Sequence, residues 1–230
     1  MIRNTIMLFM EQEYAFLWLQ PHPVLGKDFG NGWKGVWKWC ETHSGRISQY
    51  MNDVSPKMDL LVVQMDGDVA RCEREVYCRS VDIQCIGQES EHPLNCSIAK
   101  AGGCAQALPP NPACDGSVTA RVTYLKNLLS ALLNNTGASP ILITIPCDST
   151  DTWIIAAYDA SQKEPESIDD PWKIITHSKD YFGVRIPSGK KSRRPYSALI
   201  EQVCKNWEQV KALCPQAKAF EEKIRQYISD

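Results

Sequence analysis

Two carboxylates, Asp66 and Asp68, directly follow a short apolar run at residues 60–65. The run has the length and β-branched content of a strand buried on both faces of a parallel sheet. Open α/β sheets bind their ligands at the carboxyl ends of such strands. The two aspartates could therefore bind a divalent cation such as Mg²⁺, which prefers oxygen ligands. The alternative is an ordinary turn, because Asp-Gly is common turn chemistry.

Acidic residues also follow two other apolar runs. Residues 5–10 predict a first strand that ends at Glu11, and residues 141–145 predict a later strand, followed by Asp148 and Asp151. The carboxyl ends of parallel strands lie on one edge, so these groups predict a site for one or two Mg²⁺ or Mn²⁺ ions. Such ions support phosphoryl transfer or phosphodiester cleavage. Asp151 or a neighbouring Ser or Thr could instead be the N-cap of a helix.

The elements that position these carboxylates can be predicted from periodicity. Residues 118–133 show the clearest helical spacing of apolar residues in the chain, with Gly137 placed to end the helix. Further predictions are a helix over 14–19 that ends before Pro21, a second strand near 33–40, a short helix within 44–57, a helix from Trp153 to Tyr158, and two helices within 196–230. Neither an internal repeat nor a linker is visible, so we expect one domain over residues 1–230.

Composition sets the protein class but gives no partner. The chain has 230 residues, a formal net charge of −2 and 43% apolar residues, which is typical of a soluble globular protein. No run approaches the length of a membrane span and no secretory signal is visible, so a cytoplasmic location and no membrane partner are expected. The one concentrated basic run, at residues 188–194, could bind nucleic-acid phosphates or be a solvated loop. Its cations are Lys190, Lys191, Arg193 and Arg194.

Six of the ten cysteines lie within residues 71–116, a segment that carries Gly and Pro pairs without periodicity. We interpret this segment as an irregular Cys-rich insertion. Zinc is not expected there, since no closely spaced pair of cysteines occurs, and unpaired or disulfide-linked thiols are favoured. The other four cysteines have apolar neighbours, which is typical of buried free thiols. Residues 161–172 are acidic and predict a solvated loop.

A strand that ends in Glu, followed much later by a strand that ends in Asp-x-Asp, resembles the Toprim domain. This domain occurs in topoisomerases, primases and the OLD-family and related nucleases, and the resemblance rests here on residues 6–11 and 60–68. Residues 145–153, with Lys190, Lys191 and Tyr196 after them, look like the C-terminal part of uncharacterised Toprim-like proteins, some from bacterial defence systems. An acidic residue just before a Trp often closes the metal site there, and Asp151 is the match.

The resemblance implies an α/β, Rossmann-like fold, in which helices flank a mostly parallel sheet and the C-terminal helices at 196–230 pack on the core. It also implies a metal-dependent nuclease of DNA or RNA, with a role in anti-phage defence as one setting. Glu11, Asp66 and Asp68 would then be primary Mg²⁺ or Mn²⁺ ligands, with Asp148 and Asp151 beside them. The alternative is an inactive Toprim-like subunit that binds a partner such as an ATPase. Self-association as a homo-oligomer is left open.

Overall fold

The computed structural model describes residues 1–10, 14–19, 32–70, 115–134, 140–177 and 193–229. These residues form a mixed α/β protein that is mostly helical and contains a small parallel sheet. The chain divides into two compact units. We call Leu17–Thr144 the sheet unit, and Met1–Phe16 together with Ile145–Asp230 the helical unit. None of the described helices combines the length and the apolar character that crossing a membrane requires.

The regular elements are short. The strands are β1 (Leu61–Gln64) and β2 (Ile141–Thr144). The helices are α1 (Ile2–Ile6), α2 (Gly32–Thr42), α3 (Ile47–Asp53), α4 (Val118–Leu133), α5 (Asp151–Tyr158), α6 (Pro171–His177), α7 (Arg193–Lys205), α8 (Trp207–Leu213) and α9 (Pro215–Ser229). The described residues also contain two 3₁₀ turns, Gly67–Ala70 and Pro165–Ser167.

β1 and β2 are parallel neighbours, as the two apolar runs predict. Their register pairs Leu61 with Ile141 and Gln64 with Thr144, so the strands end level with each other. The Met65 amide extends the ladder by one step, donating to the Thr144 carbonyl over 3.3 Å. Both carboxyl ends therefore lie at the same edge of the sheet, which is the edge where parallel sheets bind ligands.

The predicted helix over 118–133 is confirmed as α4. Ser117 caps its N-terminus, because the side-chain oxygen accepts a hydrogen bond from the Ala120 amide over 3.1 Å. Its buried residues recur every three or four positions, and α4 packs on β2, α2 and the 3₁₀ turn after β1. The helix ends at Asn134, whose left-handed φ of 43° is the usual backbone conformation of a helix C-cap. Gly137, the predicted end, lies outside the described residues.

Three predicted elements near the N-terminus are wrong. Residues 2–6 form helix α1 rather than part of a strand, and Met7 and Leu8 are exposed, whereas a strand buried on both faces would enclose them. Residues 14–19 carry no regular structure in place of the predicted helix. The segment near 33–40 is helix α2 rather than a strand. Trp37 and Cys40 lie three residues apart and are both buried, so they share one helical face.

In the helical unit, α5 forms the centre. Every residue from Asp151 to Ala157 is buried, as expected of a helix surrounded by protein on all sides. Trp153 packs against the rings of Trp207 at 5.6 Å and Phe220 at 5.9 Å between centroids. The predicted C-terminal helices are confirmed, with a break at Asn206 that divides the first into α7 and α8. The Asn206 side chain donates to the Ala157 carbonyl over 2.7 Å and so satisfies the end of α5.

Several predictions fall on parts of the chain outside the described residues. They concern Glu11, Lys190, Lys191 and residues 71–114 of the Cys-rich insertion. The expectations of a single domain, of an irregular insertion and of its cysteine chemistry therefore stay predictions.

Candidate metal-binding residues

Asp66 and Asp68 lie where the sequence predicts them, immediately after the carboxyl end of β1. Asp66 lies between β1 and the 3₁₀ turn Gly67–Ala70, and Asp68 lies within that turn. Both aspartates are half-buried, whereas Met65 and Val69 beside them are buried in the sheet unit. The apolar neighbours fix the turn, and the carboxylates stay accessible to solvent.

Gln64 is the only polar side chain in the predicted central strand, and the structure explains its presence. Its amide nitrogen donates to Asp66 Oδ1 over 2.8 Å. Because neighbouring residues of a strand point to opposite faces, residues 64 and 66 share a face and can make this contact. The hydrogen bond comes from a neutral donor and restricts the rotation of the Asp66 carboxyl group.

Asp148 and Asp151 belong to the helical unit and are far more buried. Asp148 is 3% exposed and Asp151 is 1% exposed. Asp151 is the first residue of α5, and Thr150 holds the N-cap position without a side-chain capping bond. The Asp151 carboxyl accepts a hydrogen bond from Tyr196 Oη over 3.0 Å. A carboxylate in the first turn also interacts favourably with the positive end of the helix dipole.

The remaining predicted site residues are only partly described. Glu11, Lys190 and Lys191 lie outside the described residues, and Arg193 and Arg194 form the first turn of α7. Within the described part of the chain, no three His, Cys, Asp or Glu side chains are grouped so as to hold a metal ion. The larger metal site and the phosphate contacts therefore stay predictions.

Glu166 is a buried carboxylate that the sequence does not reveal. The prediction of a solvated loop over 161–172 is wrong at this residue, although Glu164, Asp169 and Asp170 in the same segment are exposed. Both Glu166 carboxylate oxygens accept from the Gln216 amide over 3.1 Å at the start of α9, and Oε1 also accepts from Trp153 Nε1 over 3.2 Å. The carboxylate therefore caps α9, where a negative charge is favourable.

Glu221 is a second buried carboxylate outside the predicted site. It accepts hydrogen bonds from Trp207 Nε1 over 2.6 Å and from Arg225 Nε over 2.7 Å, and Lys211 Nζ lies 2.9 Å away. Burial alone would raise its pKa, but these three donors lower the pKa below its ordinary value. Burial likewise opposes the charge on Lys211, yet Glu208 and Glu221 raise the pKa of Lys211. The carboxylate of Glu221 and the ammonium group of Lys211 therefore both stay charged, and their contact joins α8 to α9.

None of the four cysteines that the structure describes forms a disulfide, as the sequence predicts. Cys40, Cys147 and Cys214 are buried, and Cys204 is half-buried. Burial raises the pKa of Cys40 to about 12. Burial, and then the negative charge of Glu166, raise the pKa of Cys214. Thiols in such surroundings stay protonated near neutral pH and are poor nucleophiles and poor metal ligands.

The carboxylates of the described chain thus differ in their surroundings. Glu166 and Glu221 are held by helix ends and cations, whereas Asp66 and Asp68 lie half-buried at a sheet edge. No protein family, curated protein or solved structure matches this chain. Its own residues are therefore the basis for any functional conclusion.

Proposed function

We propose that the protein is a divalent-metal-dependent nuclease with a Toprim-like fold that hydrolyses phosphodiester bonds of DNA or RNA. The observation that carries the proposal is the level, parallel pairing of β1 and β2, with Asp66 and Asp68 directly after β1. Ligand sites of open α/β sheets lie at this edge. The half-burial of both aspartates supports the proposal, because a side chain that binds a metal ion must be held in place and must also be accessible from solvent.

The donor set fits Mg²⁺ or Mn²⁺. Mg²⁺ keeps several waters and is usually held by one or two carboxylates together with substrate phosphates. Two aspartates with a single residue between them supply that number, and the Gln64 amide holds Asp66 in place over 2.8 Å. A bound ion would activate water and stabilise the charge that develops on the leaving oxygen. Asp66 and Asp68 themselves would hold the ion.

The proposal gives further roles on the strength of the Toprim resemblance. Glu11 is assigned as a primary ligand, and Asp148 and Asp151 as additional ones. The phosphate contacts are assigned to four basic residues, Lys190, Lys191, Arg193 and Arg194. Each assignment can be tested by its own charge-removing variant.

The decisive experiment is a calorimetric titration of Mn²⁺ into the wild-type protein and into Asp66→Asn and Asp68→Asn. We expect each variant to weaken Mn²⁺ binding by at least about tenfold, since each loses a charged ligand. Asp59→Asn is the matched control, because Asp59 is exposed just before the amino end of the same strand. A parallel assay follows the cleavage of supercoiled plasmid and of single-stranded RNA with Mn²⁺.

A second candidate is a non-catalytic subunit that acts by binding a partner such as an ATPase. The burial of Asp151 favours it, since a carboxylate that is enclosed at the start of α5 and accepts a hydrogen bond from Tyr196 already serves the fold. The same titration separates the two candidates. A wild-type protein that neither binds Mn²⁺ nor cleaves nucleic acid would refute the nuclease and support the subunit.

A further inference from the structure

We draw no further inference here: the strongest candidate, the open cleft between α8 and α9 of the helical unit, carries none because the cations that line it, Lys211, Lys218 and Arg225, pair with the glutamates of the same cleft, and nothing else among its described residues points to a ligand.

Discussion

Removing the charge of Glu221 tests how the buried carboxylates contribute to stability. Glu221→Gln keeps the shape of the side chain and replaces the carboxylate by an amide. The carboxylate contacts Trp207 Nε1, Lys211 Nζ and Arg225 Nε, all within 2.9 Å. The amide oxygen can still accept from one of these groups, whereas the other amide atom is a donor and would face other donors. The substitution therefore breaks a charged group without creating a cavity.

The expected magnitude follows from the exposure of each partner. Arg225 is 55% exposed, so its pair with Glu221 is screened by water and contributes at most about 1 kcal/mol. The Lys211 side chain is only 18% exposed, and hydrogen bonds to charged groups in such surroundings contribute about 1.5 to 3 kcal/mol. Since the amide keeps one hydrogen bond, we expect Glu221→Gln to lower the free energy of unfolding by about 2 to 3 kcal/mol.

Urea unfolding followed by circular dichroism measures this loss, with Glu222→Gln as the matched control. Glu222 is the next residue and is 65% exposed, and its carboxylate lies 4.0 Å from Lys218. Such an exposed pair contributes little, so the control should cost less than about 0.5 kcal/mol. The comparison keeps the type of substitution and the helix constant, and changes the burial and the partners of the carboxylate.

The pH dependence gives a second readout with a defined sign. The pKa of Glu221 is lowered in the folded protein relative to its ordinary value of 4.5. Its contribution is therefore fully present above pH 4.5 and is lost as the pH falls through the lowered pKa. The difference in stability between wild type and Glu221→Gln should be constant from neutral pH down to about pH 4.5 and shrink below it. Equal costs for Glu221→Gln and Glu222→Gln, or a difference that grows on acidification, would refute the reasoning.

Two further predictions concern the helical ends and the thiols. Glu166→Gln should lower the free energy of unfolding by about 1 to 2 kcal/mol in urea unfolding, since the capping charge of α9 is lost, and Glu164→Gln at an exposed site should cost almost nothing. Cys40 and Cys214 should resist iodoacetamide in the folded protein and react after unfolding, because burial raises both pKa values. Peptide mass spectrometry locates the labelled residues, and labelling of either thiol in the folded state would contradict this.

The sequence predicted those elements whose apolar pattern is long or whose ends are marked. Helix α4 has 16 residues, a regular buried face and a Ser cap, so local signals agree with the fold. Strands β1 and β2 are short, but each is a dense apolar run, and the two pair with each other in the sheet unit. In these cases, the residues that determine the structure are neighbours in sequence.

The N-terminal elements could not be predicted because short apolar runs fit a strand and a buried helix equally well. In residues 5–10, Thr5 and Ile6 are buried while Met7 and Leu8 are exposed, and only the tertiary structure decides which positions face the interior. The spacing of the three tryptophans of α2, four positions and then two, fits neither the period of a helix nor that of a strand. Their assignment to a helix becomes evident only once the buried Cys40 is included.

The candidate site was predictable only as far as strand ends can be read from the sequence. Asp66 and Asp68 follow a recognisable strand, and their accessibility agrees with a ligand site. The buried carboxylates cannot be recognised in this way, because their partners are distant in sequence: Glu166 lies 50 residues from Gln216, and Asp151 lies 45 residues from Tyr196. A carboxylate that stabilises a helix end and one that binds a metal look alike in sequence. They differ in their response to loss of charge. Removing the charge of the first lowers the stability of the metal-free protein, whereas removing the charge of the second lowers the affinity for the metal. Comparing both responses in the Asp→Asn and Glu→Gln variants therefore assigns each carboxylate to one of the two roles.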